Sequence, residues 1–265
     1  HAHNALADEL ATYVAPGWRR RLAARLGRRL DEQVPRRADH VIALTPELAD
    51  FLAGCGVDRG RLTVLPPLAL PDHDPGVPAD GGPEASLPDR DGRRFVALYA
   101  GNLDPYQDLD VLFAAFARLR ARCPDAVLEV ATHDGAWRRR LDPRVAGWVA
   151  EGAVRVRVEA DFVAVRRRMA VADVLVCPRS SWSGYPIKLV NYALAGRPVV
   201  VAAGSAKGLA DAGGVVVVAD RDPEALAEAL ARLAREPGHA SALAVAARQR
   251  AARLAAGAEF ASHLD

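Results

Sequence analysis

Residues 178–200 read Pro-Arg-Ser-Ser-Trp-Ser-Gly-Tyr-Pro-Ile-Lys-Leu-Val-Asn-Tyr-Ala-Leu-Ala-Gly-Arg-Pro-Val-Val. After the apolar run Val174–Cys177, this stretch predicts a tight turn at Ser183-Gly184, a helix from Pro186 to the residue before Gly196, and a further strand. A glycine loop that opens a helix at the carboxyl end of a parallel strand presents main-chain N–H groups and the positive end of the helix dipole. The stretch therefore predicts a site for a phosphate or a diphosphate.

The composition disfavours several functional classes. The 265 residues include 35 basic and 33 acidic side chains, a formal charge of +2, which gives no argument for a nucleic-acid partner. Three scattered cysteines without a Cys-x-x-Cys pair disfavour a disulfide scaffold and a zinc site, so we expect no metal and a cytoplasmic location. No apolar run approaches the roughly 20 residues that span a bilayer.

Apolar runs alternate with helix-periodic segments in the second part of the chain. The predicted strands are Phe95–Tyr99, Val127–Val130, Val154–Val158, Val174–Cys177, Val199–Ala202 and Val215–Val218. The predicted helices between them include Trp137–Val149, a short one at Lys207–Ala210, and one that Asp222 caps and Pro223 begins. Repeated strand–helix units with short connections predict an α/β fold, a doubly wound parallel sheet of Rossmann-like type.

A domain boundary is predicted between residues 66 and 92. This segment contains seven prolines, four glycines and five aspartates and has no apolar periodicity. The part before it shows only two predicted strands, His40–Leu44 and Leu62–Leu65, which are too few to close a doubly wound domain. Because the first residue is His1 rather than Met, we expect this part to be the C-terminal remainder of a domain that begins upstream.

A basic amphipathic helix is predicted near the start of the chain. Trp18, Leu22, Leu26 and Leu30 recur at four-residue spacing, among the arginines Arg19, Arg20, Arg21, Arg25, Arg28 and Arg29. We favour a stripe packed on the sheet with a solvated arginine face, and the alternative is a peripheral contact with the inner face of a membrane. Aromatic residues do not interleave with the basic ones as they do on nucleic-acid surfaces, so no nucleic-acid partner is predicted.

Three segments, in this order and spacing, resemble glycosyltransferase family 4, the retaining enzymes with two Rossmann-like domains (GT-B). Residues 38–45 and 62–67 resemble the last unit before the interdomain linker, and residues 99–104 resemble the first strand and loop of the donor domain. Residues 172–200 resemble the core of donor binding. The resemblance covers nearly the whole chain, from about His1 to Arg250.

The resemblance implies a domain plan and a substrate. Residues 1–66 would be the remnant of the acceptor-side domain, residues 67–92 the linker, and residues 93–265 the domain that binds a nucleotide-sugar donor. The donor, most simply a UDP- or GDP-sugar, is a co-substrate, and no other cofactor is expected. The acceptor is unidentified and could be a glycan, a lipid or a small molecule. Because catalysis needs both walls of the cleft, we expect this chain to bind the donor but to transfer little sugar.

The resemblance also implies site residues. His3 matches a histidine that faces the donor sugar and is the candidate catalytic residue. The candidate donor-binding residues follow the predicted strands or begin the predicted helix, and they are Gly101, Asn102, His133, Arg179, Ser183, Gly184, Tyr185, Pro186, Lys188, Leu189 and Asn191.

The core motif departs from the family pattern at four positions. The family usually has two glutamates eight residues apart, where this chain has Ser183 and Asn191, and the second usually binds the nucleotide ribose. The family usually has an arginine and a lysine against the diphosphate, where this chain has Asn102 and Gln107. Lys188 could restore one of these positive charges, and Arg179 or Lys207 another.

Each site residue has a structural alternative. The turn before Pro186 could be an ordinary strand-to-helix connection, and Lys188 could be solvated on its helix. Asn191 could be a cap or a core amide, His133 could belong to a plain turn, and His3 could be an incidental residue near the terminus. Three functions stay open: a glycosyltransferase, a donor-binding scaffold without catalysis, and another nucleotide-sugar enzyme such as an epimerase.

Overall fold

The computed structural model describes residues 5–65, 94–140, 143, 145–182, 184, 186–206 and 213–255. The chain forms two compact units. The first contains residues up to Leu68 together with Ser180–Ile187, and the second contains Ala69–Arg179 and the residues from Lys188 onward. The predicted linker, 67–92, lies outside the described residues.

The described residues of the first unit form a short parallel sheet and three α-helices. In chain order they are α1 (Leu6–Thr12), α2 (Trp18–Gln33), β1 (Val41–Ala43), α3 (Pro46–Gly54) and β2 (Leu62–Val64), and Val41 pairs with Leu62. Thr45 caps α3, because its hydroxyl accepts a hydrogen bond from the Leu48 amide at 3.1 Å. Leu48 and Leu52 of α3 pack on the two strands in a small apolar core.

The basic helix, α2, does not pack as the sequence predicts. The helix forms as predicted, but Trp18, Leu22 and Leu26 are 70%, 57% and 54% exposed instead of packed on a sheet. The residues of α2 that are buried in this unit are Gly27 and Asp31, on another face. A Cβ at Gly27 would lie 2.3 Å from the Leu6 carbonyl oxygen, so glycine allows α1 and α2 to approach closely. The Asp31 carboxylate accepts from the amides of Leu6 and Ala7, which caps α1.

In the second unit, the part that the structure describes forms a six-stranded parallel sheet. Its strands are β3 (Val96–Ala100), β4 (Val127–Thr132), β5 (Val154–Val158), β6 (Val174–Cys177), β7 (Val199–Ala202) and β8 (Val215–Val218). Its helices are α4 (Leu109–Arg122), α5 (Trp137–Arg140), α6 (Val145–Ala150), α7 (Phe162–Val171), α8 (Ile187–Leu194), α9 (Ala203–Ala206), α10 (Pro223–Arg235) and α11 (Pro237–Ala255). The predicted parallel sheet is confirmed, and each predicted strand of this unit lies within two residues of an observed one.

The strand order, β5-β4-β3-β6-β7-β8, is that of a doubly wound sheet. In chain order, this sheet starts in its middle at β3 and continues outward to β5. The chain then returns to the middle at β6 and continues outward on the other side to β8. Every residue of β4, β6 and β7 is buried, as expected for parallel strands covered on both faces. The order reverses between β3 and β6, and in such sheets ligands bind at the carboxyl ends of the strands beside this reversal.

Local signals set the helix boundaries. Asp222 caps α10 as predicted, because its carboxylate accepts from the amides of Glu224 and Ala225. Gly196, with φ +62°, follows α8 in the left-handed conformation that ends many helices. The segment predicted as helical over Trp137–Val149 forms two helices, α5 and α6, with Pro143 between them, and proline interrupts a helix. The helix predicted at 207–210 lies outside the described residues.

Candidate functional site

The end of β3 and the end of β6 are joined by a tyrosine from α8. The two strands pair only at Ala97 with Val174 and at Leu98 with Leu175, so they separate toward their carboxyl ends. The hydroxyl of Tyr192 lies in this gap, where it accepts from the Ala100 amide at 2.8 Å and lies 3.2 Å from the Ala100 carbonyl oxygen. Burial raises the pKa of Tyr192, so the hydroxyl stays protonated and can donate. This tyrosine fixes α8 at the strand-order reversal.

Lys188, the second residue of α8, reaches back to β3 and its following loop. Its ammonium donates to the Tyr99 hydroxyl at 2.9 Å and to Gln107 Oε1 at 2.6 Å. The nitrogen also lies 4.2 Å from the centre of the Tyr99 ring, at a distance typical of a cation–π contact. Among the described residues, no carboxylate lies within ion-pair distance of this ammonium. Its partners are thus two neutral oxygens and an aromatic face.

The electrostatics around Lys188 favour an anion. Burial, together with a smaller effect of the nearby Arg179 guanidinium, lowers the pKa of Lys188 to about 8. Lys188 also lies in the first turn of α8, where the positive end of the helix dipole disfavours a cation unless an anion is present. Arg179 follows β6, is buried, and lies with its guanidinium 5.3 Å from the centre of the Tyr106 ring. Two cations and a helix N-terminus therefore belong to one edge of the sheet.

Gly101 provides the space for the ammonium. A Cβ at this position would lie 2.8 Å from Lys188 Nζ and 3.1 Å from the Tyr99 hydroxyl. The Gly101 amide itself donates to the Ala131 carbonyl oxygen at 2.9 Å, which continues the sheet past the end of β3. Any side chain here would displace Lys188, so the glycine is required by close approach.

Asn102 and Gln107, the two positions that depart from the family pattern, take different roles. Asn102 Nδ2 donates to Asp104 Oδ2 at 2.8 Å and to the Tyr106 hydroxyl at 2.9 Å, and its main-chain oxygen accepts from Tyr99 at 2.6 Å. Asn102 Oδ1 is buried and has no hydrogen-bond partner among the described residues. Gln107 is buried and binds the Lys188 ammonium. The loop thus holds a lysine that comes from α8.

The other predicted residues occupy different surroundings. The Asn191 side chain is half-buried and makes no hydrogen bond within the described part of the chain, so it is not a cap or a core amide. Leu189 is buried, so only its main chain could contact a ligand. His133 is exposed after β4. Gly184, with φ +74°, and Pro186 are both buried in the first unit. His3, Ser183 and Tyr185 lie outside the described residues.

Sequence reasoning missed Tyr99 and Tyr192, which look like ordinary apolar positions of a strand and a helix. In the structure, the hydroxyl and ring of Tyr99 contact the Lys188 ammonium, and the Tyr192 hydroxyl links α8 to the sheet. One signal was available, since the sequence contains 33 arginines and only two lysines, Lys188 and Lys207. In so arginine-rich a chain, a lysine in the first turn of a helix that follows a glycine loop suggests a position where the compact ammonium is needed.

A family model described as "Glycosyl transferases group 1" matches residues 94–236, more than half of the chain. The chain belongs to the group 1 glycosyltransferases. A curated relative from Xylanimonas cellulosilytica, named D-inositol 3-phosphate glycosyltransferase, is 31% identical over 243 residues, which are 88% of this chain and 54% of that protein. The chain thus spans about half the length of the curated relatives that it matches.

Several solved structures share the fold of this chain. One is Anabaena Alr3699/HepE in complex with UDP-glucose, with a TM-score of 0.71, 16% identity, and coverage of 100% of this chain and 71% of that one. Another is WaaG, a glycosyltransferase involved in lipopolysaccharide biosynthesis, with a TM-score of 0.67, 24% identity, and coverage of 92% and 67%. These matches confirm the predicted GT-B fold, with a partial N-terminal part.

The described residues show no sign of two other kinds of site. None of the helices they form is both long and apolar enough to cross a membrane. They also contain no group of three or more His, Cys, Asp or Glu side chains placed to hold a metal ion.

Proposed function

We propose that the second unit binds the diphosphate of a nucleoside-diphosphate sugar at Lys188, and that the whole protein transfers the sugar with retention, as a family 4 enzyme. One observation carries this proposal. The Lys188 ammonium is enclosed by neutral acceptors at the strand-order reversal, where an anion would supply the missing negative charge.

The site suits a departing diphosphate. Transfer breaks the bond between the sugar's anomeric carbon and a diphosphate oxygen, and that oxygen leaves with the electron pair while an acceptor oxygen bonds to the carbon and loses its proton. Negative charge therefore develops on the diphosphate. Lys188, Arg179 and the amides at the start of α8 are fixed before the reaction, so they would stabilise this charge without reorganising.

The nucleotide is proposed to be UDP or GDP. One structural neighbour was solved with UDP-glucose, which supports a uridine donor. Asn191 is proposed to bind the ribose, and its half-buried amide, not committed to any described residue, supports this role. An amide offers a single acceptor oxygen without charge, so this contact would be weaker than one made by a glutamate.

The acceptor stays open among glycans, lipids and small molecules, and the names of the curated relatives place a phosphorylated inositol among the compounds to test. The neutral residues at Asn102, Gln107 and Asn191 favour the second candidate function, a donor-binding protein without catalysis. The third, an epimerase, would convert the donor without any acceptor.

The proposal is tested by calorimetry of the 265-residue chain with UDP, GDP, ADP and uridine. We expect heat from at least one diphosphate and much less from uridine at the same concentration. No heat and no thermal shift with any diphosphate up to millimolar concentration would contradict the proposal. A longer protein that includes the upstream sequence is then given labelled UDP-sugars with and without acceptors. Transfer identifies the enzyme, binding alone a scaffold, and acceptor-free conversion an epimerase.

A peripheral membrane contact through α2 is proposed as well. Trp18, Leu22, Arg25 and Arg29 follow one another at spacings of four, three and four residues, so they share one exposed face of the helix. A protein partner that covered the apolar side chains would also desolvate the two guanidinium groups. An anionic lipid surface accepts both, because apolar side chains enter the interface while arginines bind the phosphates.

Vesicle sedimentation tests this contact. We expect binding to vesicles of anionic phospholipid but not to neutral ones, with binding reduced by salt. R25Q/R29Q should weaken it by about thirtyfold, at about 1 kcal/mol per charge, whereas the control R232Q/R235Q on α10 should not. Equal binding of both double variants would contradict a role for this face.

A further inference from the structure

Two non-glycine residues of the described chain have a positive φ, Asp108 with φ 52° and Arg221 with φ 53°. This left-handed conformation is disfavoured for residues with a side chain, and it persists where the surroundings hold it. Asp108 lies directly before α4, and Arg221 lies directly before Asp222, the cap of α10. The strained positions therefore begin two helices that pack against each other.

The two strained residues hold each other. Arg221 Nη1 binds Asp108 Oδ1, and Arg221 Nη2 binds Asp110 Oδ2 at 3.0 Å. The planar guanidinium thus bridges two carboxylates at the start of α4. The Asp108 side chain is 8% exposed, whereas the Arg221 side chain is 57% exposed. The bridge consequently joins a buried carboxylate of one turn to the turn that precedes α10.

Asp108 also sets the direction of Gln107, which binds Lys188. A 3₁₀ turn, Pro105–Gln107, ends at Asp108, and the Asp108 carbonyl oxygen accepts from the Val111 amide at 3.1 Å to begin α4. The left-handed residue therefore fixes the angle between this turn and the helix. Gln107 is buried beside it, with Oε1 at 2.6 Å from the Lys188 ammonium.

We propose that Arg221 is a positioning residue of the anion site. Its bridge to Asp108 and Asp110 keeps Asp108 left-handed, which directs Gln107 toward Lys188 and so holds the ammonium where a diphosphate binds. This inference rests on the proposed function, since it concerns the same anion. Arg221 would act through Asp108 and Gln107, without touching the ligand itself.

The alternative is an ordinary surface ion pair, and pairs of this kind contribute little. The chain offers a matched control on α10. Arg235 is 57% exposed, like Arg221, and pairs with Glu228 at 2.8 Å. R235A removes an arginine of equal exposure from the opposite end of α10, without touching the loop that carries Gln107.

The test measures UDP affinity by calorimetry at several pH values for R221A, R221K, D108G/R221A, R235A and K188A. We expect R221A to weaken UDP binding about tenfold and R221K nearly as much, because lysine cannot bridge two carboxylates with a planar fork. D108G/R221A should recover to within about threefold of the original protein, because glycine adopts a positive φ without being held. The pH midpoint of binding should rise in R221A, since a released Lys188 becomes better hydrated. R235A should change neither affinity nor midpoint.

The outcomes separate this inference from the function that it rests on. If K188A weakens UDP binding whereas R221A, like the control R235A, changes neither the UDP affinity nor the pH midpoint and lowers only the melting temperature, Arg221 is merely structural and the inference is wrong. If K188A leaves UDP binding unchanged, the proposed function itself fails. If R221A does not fold, R221K and D108G/R221A decide. An unchanged UDP affinity and pH midpoint in R221K would overturn the inference. It would also be overturned by a D108G/R221A variant that binds no UDP while K188A behaves as proposed.

Discussion

Arg168 and Lys188 are two partly buried cations of the same sheet domain with opposite surroundings. Arg168 lies in the last turn of α7, where the helix dipole favours a cation, and it binds Glu159 at 2.7 Å and Glu129 at 3.0 Å. Lys188 lies in the first turn of α8, where the dipole disfavours a cation, and it has only neutral partners among the described residues.

The pKa values of the two groups follow this difference. Burial alone would lower the pKa of Arg168, but hydrogen bonds to Glu159 and Glu129 outweigh it, so the pKa is raised. Burial lowers the pKa of Lys188 to about 8, and no carboxylate in the described chain counteracts it. A cation whose charge is neutralised within the fold serves stability, whereas one left without a counter-ion is suited to bind an anion from solution.

The largest expected effect belongs to K188A. We expect UDP affinity to fall roughly 10- to 100-fold, in line with about 1.5–3 kcal/mol for a hydrogen bond to a charged group. Uridine, which has no diphosphate, should bind almost as before. Calorimetry with both ligands measures this. Equal losses for UDP and uridine would mean that Lys188 supports packing rather than an anion.

R168A should have the complementary effect. Among the described residues, removing the arginine leaves the buried Glu129 with Arg157, at 4.0 Å, as its one basic partner, so we expect the free energy of unfolding to fall by about 1–3 kcal/mol. UDP affinity should change less than twofold. Denaturant unfolding measures the change in stability, and calorimetry of the same sample measures the UDP affinity. A loss of UDP affinity as large as that of K188A would contradict the assignment of stability to Arg168 and anion binding to Lys188.

A pH titration of UDP binding should show whether the positive charge of Lys188 binds the diphosphate. Lys188 binds the anion when protonated, so affinity should be constant as long as the pH stays well below 8 and should fall as the pH rises through about 8. We expect a decrease of about five- to tenfold between pH 7.5 and 9. K188A should show no decrease in this window, and an equally steep decrease in K188A would assign the titration to another group.

The smallest expected effect is that of N191A. If the Asn191 amide binds the ribose, its loss should weaken UDP and uridine equally, by about 0.5–1.5 kcal/mol. K188A, in contrast, should weaken the binding of UDP and leave that of uridine almost unchanged. Parallel titrations with the two ligands measure it, and a loss confined to UDP would place Asn191 near the phosphates instead.

The sequence predicts the sheet domain well because its strands are short apolar runs bounded by clear helix signals. The Asp222 cap and the glycine after α8 act locally, so they could be read directly. The packing of α2 was not readable, since whether Trp18 is covered depends on Gly27 and Asp31 meeting α1, a tertiary contact.

The site was predicted in part for the same reason. The glycine loop and Lys188 follow from local motifs, but the partners of the ammonium do not. Tyr99 and Gln107 lie 89 and 81 positions from Lys188 along the chain, and only the strand order brings them together. The roles of Asp108 and Arg221 likewise depend on a contact across 113 positions.

The most direct test of the central claim is the titration of Lys188 itself. With only two lysines in the sequence, a sample labelled with ¹³Cε-lysine gives two resonances by NMR, and K188R assigns them. The account predicts that one lysine titrates near a pKa of about 8 without ligand, and that saturating UDP raises this pKa by at least about one unit while uridine leaves it unchanged. A Lys188 that titrates near the ordinary lysine value without ligand, or whose pKa UDP does not move, would contradict the claim that it binds the diphosphate.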